Sequence, residues 1–412
     1  MPYSVLEAKP ISQLCTVVDC EHKTAPYVDE SEYLVVRTSN VRNGRLVMDD
    51  MKYTTSEGYK EWTQRAVPEY GDVLFTREAP AGESCLVPYD KKVCMGQRMV
   101  MLRPKKKVAD PVFLSLILNT ERTKTDISRL SIGSTVSRIN IADIKKLKVA
   151  CPPLPEQRKI AKILSTWDKA IATTEQLIAA SQQQKKALMQ QLLTGKKRLL
   201  NPETGMVFEG EWEEVRLSQL VKVTGGNAFK SEQFATQGIP LIKISNIKAD
   251  YSVNVDSSVF IVEESKYEKF KVKTGDVLIA MSGATTGKVG CYRFNDFSYL
   301  NQRVGRFDPK KNKIIKPYLF QLLKLPKVQH DILIDAVGGA QPNISNKDIE
   351  RLKVKVPAIG EQQKIASVLT AADKEIELLE AKLAHLKEEK KALMQQLLTG
   401  KRRVKVEHTE AA

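Results

Sequence analysis

Apolar residues along this chain follow two rhythms. Ile365, Leu369, Ala372, Ile376, Leu379, Leu383, Leu386, Leu393 and Leu397 alternate steps of three and four, with a gap at Lys390. An earlier stretch does the same through Ile160, Leu164, Trp167, Ile171, Ile178, Leu188 and Leu192, with Thr174, Ser181 and Lys185 as weak positions. A stripe of period 3.5 is narrow and wants a partner helix. Each stretch predicts a helix of about 39 residues, roughly 58 Å long at 1.5 Å per residue, and the simplest partner for each is the other. The second rhythm is a set of short apolar runs between turn residues: Glu32–Asn40, Gly71–Phe75, Ile239–Ile247 and Gly275–Gly283. Such runs, rich in β-branched residues, predict strands. Pro111–Asn119 and Pro317–Leu325 predict short helices.

Punctuation supports the long helices. Pro152, Pro153 and Pro155 precede the first, and Pro357 and Gly360 the second; proline suits a helix start, where its missing N–H is not needed. Glu156 and Glu361 fall in the first turn, where an anion favours the helix dipole. Gly195 and Gly400 stand where a left-handed C-terminal cap is expected, followed by Lys196-Lys197-Arg198 and Lys401-Arg402-Arg403.

The chain is also two copies of one plan. KKALMQQLLTGK occurs at Lys185–Lys196 and again at Lys390–Lys401, an offset of 205 residues. No gap is needed from Gly133 to Arg198. Upstream the match is weaker: Gly71–Leu74 echoes Gly275–Leu278, Gln97-Arg98 echoes Gln302-Arg303, and Ser39-Asn40 echoes Ser245-Asn246. The expected fold class is α+β: two mixed, mostly-β domains separated by two long helices that form an antiparallel coiled coil, with a pseudo-two-fold internal repeat. The expected boundaries are a first domain at 1–150, a helix at 151–198, a second domain at 199–355, a helix at 356–403 and a tail at 404–412.

The 412 residues carry 65 Lys and Arg against 49 Asp and Glu, a net +16. That excess suggests a polyanionic partner such as nucleic acid. No signal peptide and no apolar run near ~18 residues is present, so a cytoplasmic protein is expected. Six cysteines without CxxC spacing predict reduced, mostly buried thiols. The four histidines have no metal-ligand spacing; His385 reads as solvated, and His22 as a turn residue or a phosphate contact. Ser282–Gly290 (SGATTGKVG) departs from a phosphate loop in its glycine spacing and at Val289. Cys151–Pro155 is not the Asn/Asp-Pro-Pro-aromatic motif of amino-methyltransferases. No catalytic centre and no metal site is therefore expected.

Loop chemistry fits a DNA surface. Arg or Lys can pair with guanine, and Asn or Gln with adenine, in the major groove. The candidates are Arg37, Ser39, Asn40, Arg42, Arg77, Arg98 and Arg138 in the first half. In the second they are Lys243, Ser245, Asn246, Lys248, Thr285, Thr286, Lys288, Asn301, Gln302, Arg303, Gln341 and Asn343. The competing reading is that Asn and Gly here only make turns, and phosphate contacts outnumber base contacts in general. The exact repeat has its own two readings. Coil packing requires only its leucines, so Met189, Gln190 and Gln191 with Met394, Gln395 and Gln396 are candidates for binding two copies of one partner; a recent duplication is the alternative.

These features resemble the specificity subunits of Type I restriction-modification systems. The resemblance rests on PLPEQRKIAKIL at Pro153–Leu164, its echo at Gly360–Leu369, GGAQPNISNKDIERLKV at Gly338–Val354 and the repeated helix end, and it spans essentially the whole chain. It implies two target-recognition domains, each reading half of a split asymmetric double-stranded DNA site, with the coil as spacer. It implies two docked modification subunits that methylate adenine with S-adenosylmethionine, joined by restriction subunits that use ATP, so S-adenosylmethionine, ATP and Mg are expected on partners and none on this chain. A different-class reading is a non-DNA coiled-coil adaptor that bridges two identical proteins.

Overall fold

The structure is a computed structural model that describes residues 6–133, 137–256, 259–334 and 343–406. It resolves into two compact units: Met1–Glu175 with Lys382–Ala412, and Gln176–Ala381. The two long helices are α1 (Leu154–Leu192) and α2 (Ile359–Leu397), each of 39 residues. Each unit contains the start of one and the end of the other. In the first unit Ile160 and Leu164 of α1 join a core with Leu393, Leu397 and Leu398 at the end of α2. In the second, Leu192 and Leu193 at the end of α1 join Ile365 and Leu369 of α2. The helices are thus antiparallel in both. A fully buried leucine or isoleucine contributes roughly 1.5–3 kcal/mol over exposure, so these seams anchor the domains. Among the described residues no helix is long and apolar enough to cross a membrane.

The weak heptad positions have a physical explanation. Lys390 Nζ lies 2.6 Å from Asp168 Oδ1, and the equivalent Lys185 bonds Asp373. Polar pairs in a coiled-coil seam cost stability but single out one register. Thr174 is buried and donates to the Ala170 carbonyl at 2.8 Å. In the second unit Asp373 also accepts from Gln321 at 2.7 Å and meets Lys324 at 3.2 Å. Burial pulls the Lys324 ammonium down to about 8, against the opposing pull of Asp373.

The helix-start glutamates do more than favour a dipole. Arg403 Nε and Nη2 donate to Glu156 at 2.7 and 2.5 Å. Arg198 Nε and Nη2 donate to Glu361 at 2.6 and 2.8 Å, and Trp212 Nε1 adds a third bond at 3.2 Å. Both carboxylates are buried. Forked Arg–carboxylate pairs of this kind are the strong ones. The neighbouring glutamines pin the domains: Gln157 accepts from Asp110 N and donates to the Val108 and Pro152 carbonyls, as Gln362 does with Ile315, Lys313 and Pro357. The expected caps are present, with Gly195 and Gly400 at φ +71° and +74°. A Cβ on Gly400 would meet the Leu6 side chain at 2.6 Å.

Each unit carries a four-stranded sheet of the same order. In the first, a four-stranded sheet runs Cys15–Asp19, Met99–Pro104, Val73–Thr76, Ser84–Leu86; in the second, Val221–Gly225, Val304–Pro309, Val277–Ala280, Val289–Cys291. Each unit has a second sheet built on a parallel pair, of three strands in the first unit and five in the second. That pair is β1 (Tyr33–Val36) with β3 (Lys92–Met95) in the first unit, where β2 (Val73–Thr76) and β4 (Met99–Pro104) belong to the four-stranded sheet. In the second unit the pair is β5 (Ile239–Ile242) with β7 (Ser298–Leu300), and β6 (Val277–Ala280) and β8 (Val304–Pro309) match β2 and β4. The predicted short helices form at Pro111–Leu118 and Lys316–Leu323. Glu121–Leu130, whose outer face is polar, carried no apolar run to announce it. All six cysteines are free, and five are buried.

Removing a helix-start carboxylate takes away the forked acceptor of Arg403 or Arg198 and, in the second unit, that of the Trp212 indole N–H. Glu156→Ala and Glu361→Ala should each lower stability by about 1–3 kcal/mol, read by thermal or urea unfolding. A loss below about 0.5 kcal/mol at both would contradict the clasp.

Candidate nucleic-acid interface

The candidate residues gather where the parallel strands end. β1 and β5 both run into a short turn, Thr38–Asn40 and Ile244–Asn246. β3 and β7 run into three-residue corners that carry the chain to the four-stranded sheet: Gly96, Gln97 and Arg98 before β4, and Asn301, Gln302 and Arg303 before β8. Gly96 N donates to Val36 O at 2.8 Å, and Asn301 N to Ile242 O at 3.0 Å, so turn and corner are neighbours in each unit.

Inside the turns the asparagines serve the fold. Asn40 Oδ1 accepts from Arg37 N at 3.1 Å while its Nδ2 donates to the Val47 and Asp49 carbonyls. Asn246 Oδ1 accepts from Lys243 N at 2.8 Å, and its Nδ2 donates to Asn254 O. Both are buried, so their side chains hold the turn rather than face solvent. Arg42 is likewise bound to the Thr38 and Val41 carbonyls. Arg37 pairs with Asp50 at 2.8 Å, and with Lys52 it holds the Asp50 carboxyl down at about 2. Lys243 lies over the Phe234 ring, and Lys248 donates to Ser245 O. Ser39 and Ser245 are exposed.

The corners hold the clearest constellation. Arg98 and Arg303 both have φ +67°, a left-handed conformation that costs a non-glycine residue about 1–2 kcal/mol. Their carbonyls accept from Arg77 N and Met281 N, just past β2 and β6, at 2.8 and 2.9 Å. Here Arg98 Nε reaches Glu78 at 3.0 Å and Arg138 reaches the same carboxylate at 3.4 Å, both arginines more than half exposed. In the second unit the matching positions are Ser282, Arg303 and Asn343, with Arg303 Nη1 3.4 Å from Asn343 Oδ1. Backbone bridges Glu78–Arg138 and Ser282–Asn343 make the equivalence explicit. Glu78 and Ser282 escaped the sequence reading, although each follows a GDVL strand. Arg77 is not part of the surface: it is 7% exposed and paired with Asp19.

The remaining candidates line the same edge or lie beyond it. Thr286 is buried and donates to Gly283 O at 2.8 Å; Thr285 and Lys288 are half-buried in the same turn. That turn adjoins the Lys243–Asn246 loop, since a Cβ on Gly283 would lie 3.6 Å from Ile244. A strand, Val289–Cys291, follows it where a phosphate loop would require a helix. His22 bonds Asp19 at 3.0 Å, and His385 is exposed beside Glu389. Gln341 lies outside the described residues.

The domain described as "Type I restriction modification DNA specificity domain" matches residues 7–181 and 209–388. The Type I restriction enzyme MjaVIII specificity subunit of Methanocaldococcus jannaschii is 30% identical over 397 residues, 93% of this chain and 90% of that protein. The EcoKI specificity subunit of Escherichia coli is 22% identical over 86% of this chain and 79% of its own length. The crystal structure of the S subunit from M. genitalium covers 97% of both chains with a TM-score of 0.64 at 18% identity. This chain belongs to the Type I restriction-modification specificity family. As such a specificity subunit it is non-catalytic, catalysis residing in partner subunits of these systems.

In this specificity subunit the repeated helix end divides in two. Met189 is buried in the second core, and Met394 packs on the first, so the methionines are held by their own units rather than displayed. Gln190, Gln191, Gln395 and Gln396 are exposed, as are Thr194 and Thr399.

The turn role of the asparagines has a measurable cost. Asn40→Ala and Asn246→Ala should each destabilise by about 1–3 kcal/mol, and Ser39→Ala and Ser245→Ala by less than about 0.5 kcal/mol, in thermal unfolding. Equal, small effects at all four would put the asparagine amides in solvent.

Proposed function

We propose that this subunit binds double-stranded DNA sequence-specifically in the cytoplasm and reads a bipartite, asymmetric site, one half per unit. The observation that supports it is the corner built twice, Glu78, Arg98 and Arg138 in one unit and Ser282, Arg303 and Asn343 in the other. The scaffold recurs while the displayed chemistry differs. Two similar readers with different side chains suit two different half-sequences. With net +16, the chain has the charge to hold phosphates on both.

The exposed glutamines at the two helix ends form two identical patches for two modification subunits, with restriction subunits completing the complex. Those partners carry S-adenosylmethionine, ATP and Mg. The helices, each of 39 residues, act as the spacer between half-sites. The boundaries 1–150, 151–198, 199–355, 356–403 and 404–412 describe reader, spacer, reader, spacer and tail. Reconstituting the complex with modification subunits and mapping methylated adenines tests the reading; absence of site-specific methylation would refute it.

The spacer is testable separately. Four residues inserted at equivalent points of α1 and α2 lengthen each by roughly 6 Å and move the apolar stripe only modestly. Mapped methylation should keep both half-sequences and lengthen the unread gap by one or two base pairs at ~3.4 Å each. Methylation at the original spacing would rule the ruler out.

A further inference from the structure

Within the two corners a Gln-Arg pair is retained and the residues that face its arginine are not. Gln97-Arg98 and Gln302-Arg303 are identical at the turn, while Glu78 faces Ser282 and Arg138 faces Asn343 at equivalent positions. Both arginines sit at φ +67°, where glycine would be free of strain. Corner geometry alone therefore does not explain arginine at either place. Nor does a common ion-pair partner, because Arg98 meets a carboxylate and Arg303 an amide. Both guanidinium groups project from the surface, and both backbones are locked, their carbonyls accepting from the residue just past a neighbouring strand.

A side chain kept the same in two readers of different sequences has to meet something both halves share. On DNA the shared feature is the phosphate backbone, and the varied feature is the base edge. We infer that Arg98 and Arg303 are equivalent phosphate clamps that set the register of each unit on the duplex. Arg138 with Glu78, and Asn343 with Ser282, are the specificity-determining pairs beside them. By the donor and acceptor patterns of the major groove, Arg138 suits guanine and Asn343 suits adenine, with Glu78 able to accept from cytosine N4. This division of labour rests on the DNA-reading function proposed above.

The test uses the complex reconstituted with modification subunits, a duplex carrying its mapped site, and a scrambled duplex of the same length, titrated across salt. Arg98→Gly and Arg303→Gly should weaken both duplexes by the same factor. They should also reduce the slope of log affinity against log salt by about 0.9 for each phosphate no longer neutralised. Arg98→Lys and Arg303→Lys should restore most of that slope, since a point charge serves a phosphate but not a bidentate base pairing. Arg138→Ala and Asn343→Ala should leave the scrambled duplex nearly unchanged and reduce discrimination about 5- to 150-fold, each within one half-site. Thermal unfolding confirms that the variants are folded. A shift in base preference from Arg98→Gly or Arg303→Gly, or an unaltered salt slope, would overturn the assignment. If the wild-type complex discriminates and all variants behave like it, the clamp assignment fails while the DNA reading stands. If the wild-type complex fails to discriminate, the DNA reading fails and the assignment with it.

Discussion

The structure depends on a carboxylate at the start of each long helix meeting a guanidinium just beyond the end of the other. Glu156 with Arg403, and Glu361 with Arg198, are forked pairs in which the carboxylate is buried beside an apolar core and the guanidinium reaches it from the surface side. The carboxylate also faces the positive end of its own helix dipole, so one buried anion serves two positive neighbours. Such a pair tolerates little misplacement, because the buried carboxylate left alone would be an uncompensated charge. It therefore specifies where one helix ends against the start of the other. The glutamine next to each glutamate extends the same constraint to the adjacent domain by taking three backbone groups of its loops. Inside the seam, Lys390 with Asp168 and Lys185 with Asp373 add a register signal that leucines alone could not give.

On that support each unit builds a surface from backbone first. Two parallel strands end side by side; a buried asparagine closes the turn after one, and a left-handed arginine closes the corner after the other. Loops held this way can change their outward side chains without disturbing the strands. That separates the support, which repeats, from the displayed chemistry, which differs at Glu78 and Ser282 and at Arg138 and Asn343.

The fold was largely legible because it is periodic. Heptads, strand runs, glycine caps and the 205-residue repeat are local or self-similar signals, and the α+β reading with antiparallel helices follows from them. Side-chain direction in loops was less legible. Asn40 and Asn246 were identifiable as polar turn residues, but composition does not say whether an amide points inward or outward. Arg77 beside exposed Arg98 differs from it only in burial, which tertiary packing sets through Asp19. Glu156 and Arg403 are 247 residues apart; no window along the chain joins them, though the repeat pairs each with its own equivalent, Glu361 and Arg198. Lys185 and Lys390 read as gaps because a heptad count scores hydrophobicity and cannot see an opposing aspartate.

The central claim is that the two units are independent readers of one design. It is tested most directly by a chain in which residues 1–150 are replaced by a second copy of 199–355, assembled with modification subunits, and followed by genome-wide mapping of methylated adenines. The expected result is a symmetric site made of two copies of the half-sequence read by the second unit. A folded, assembled chain that still methylates the original asymmetric site, or a site unrelated to either half, would contradict it.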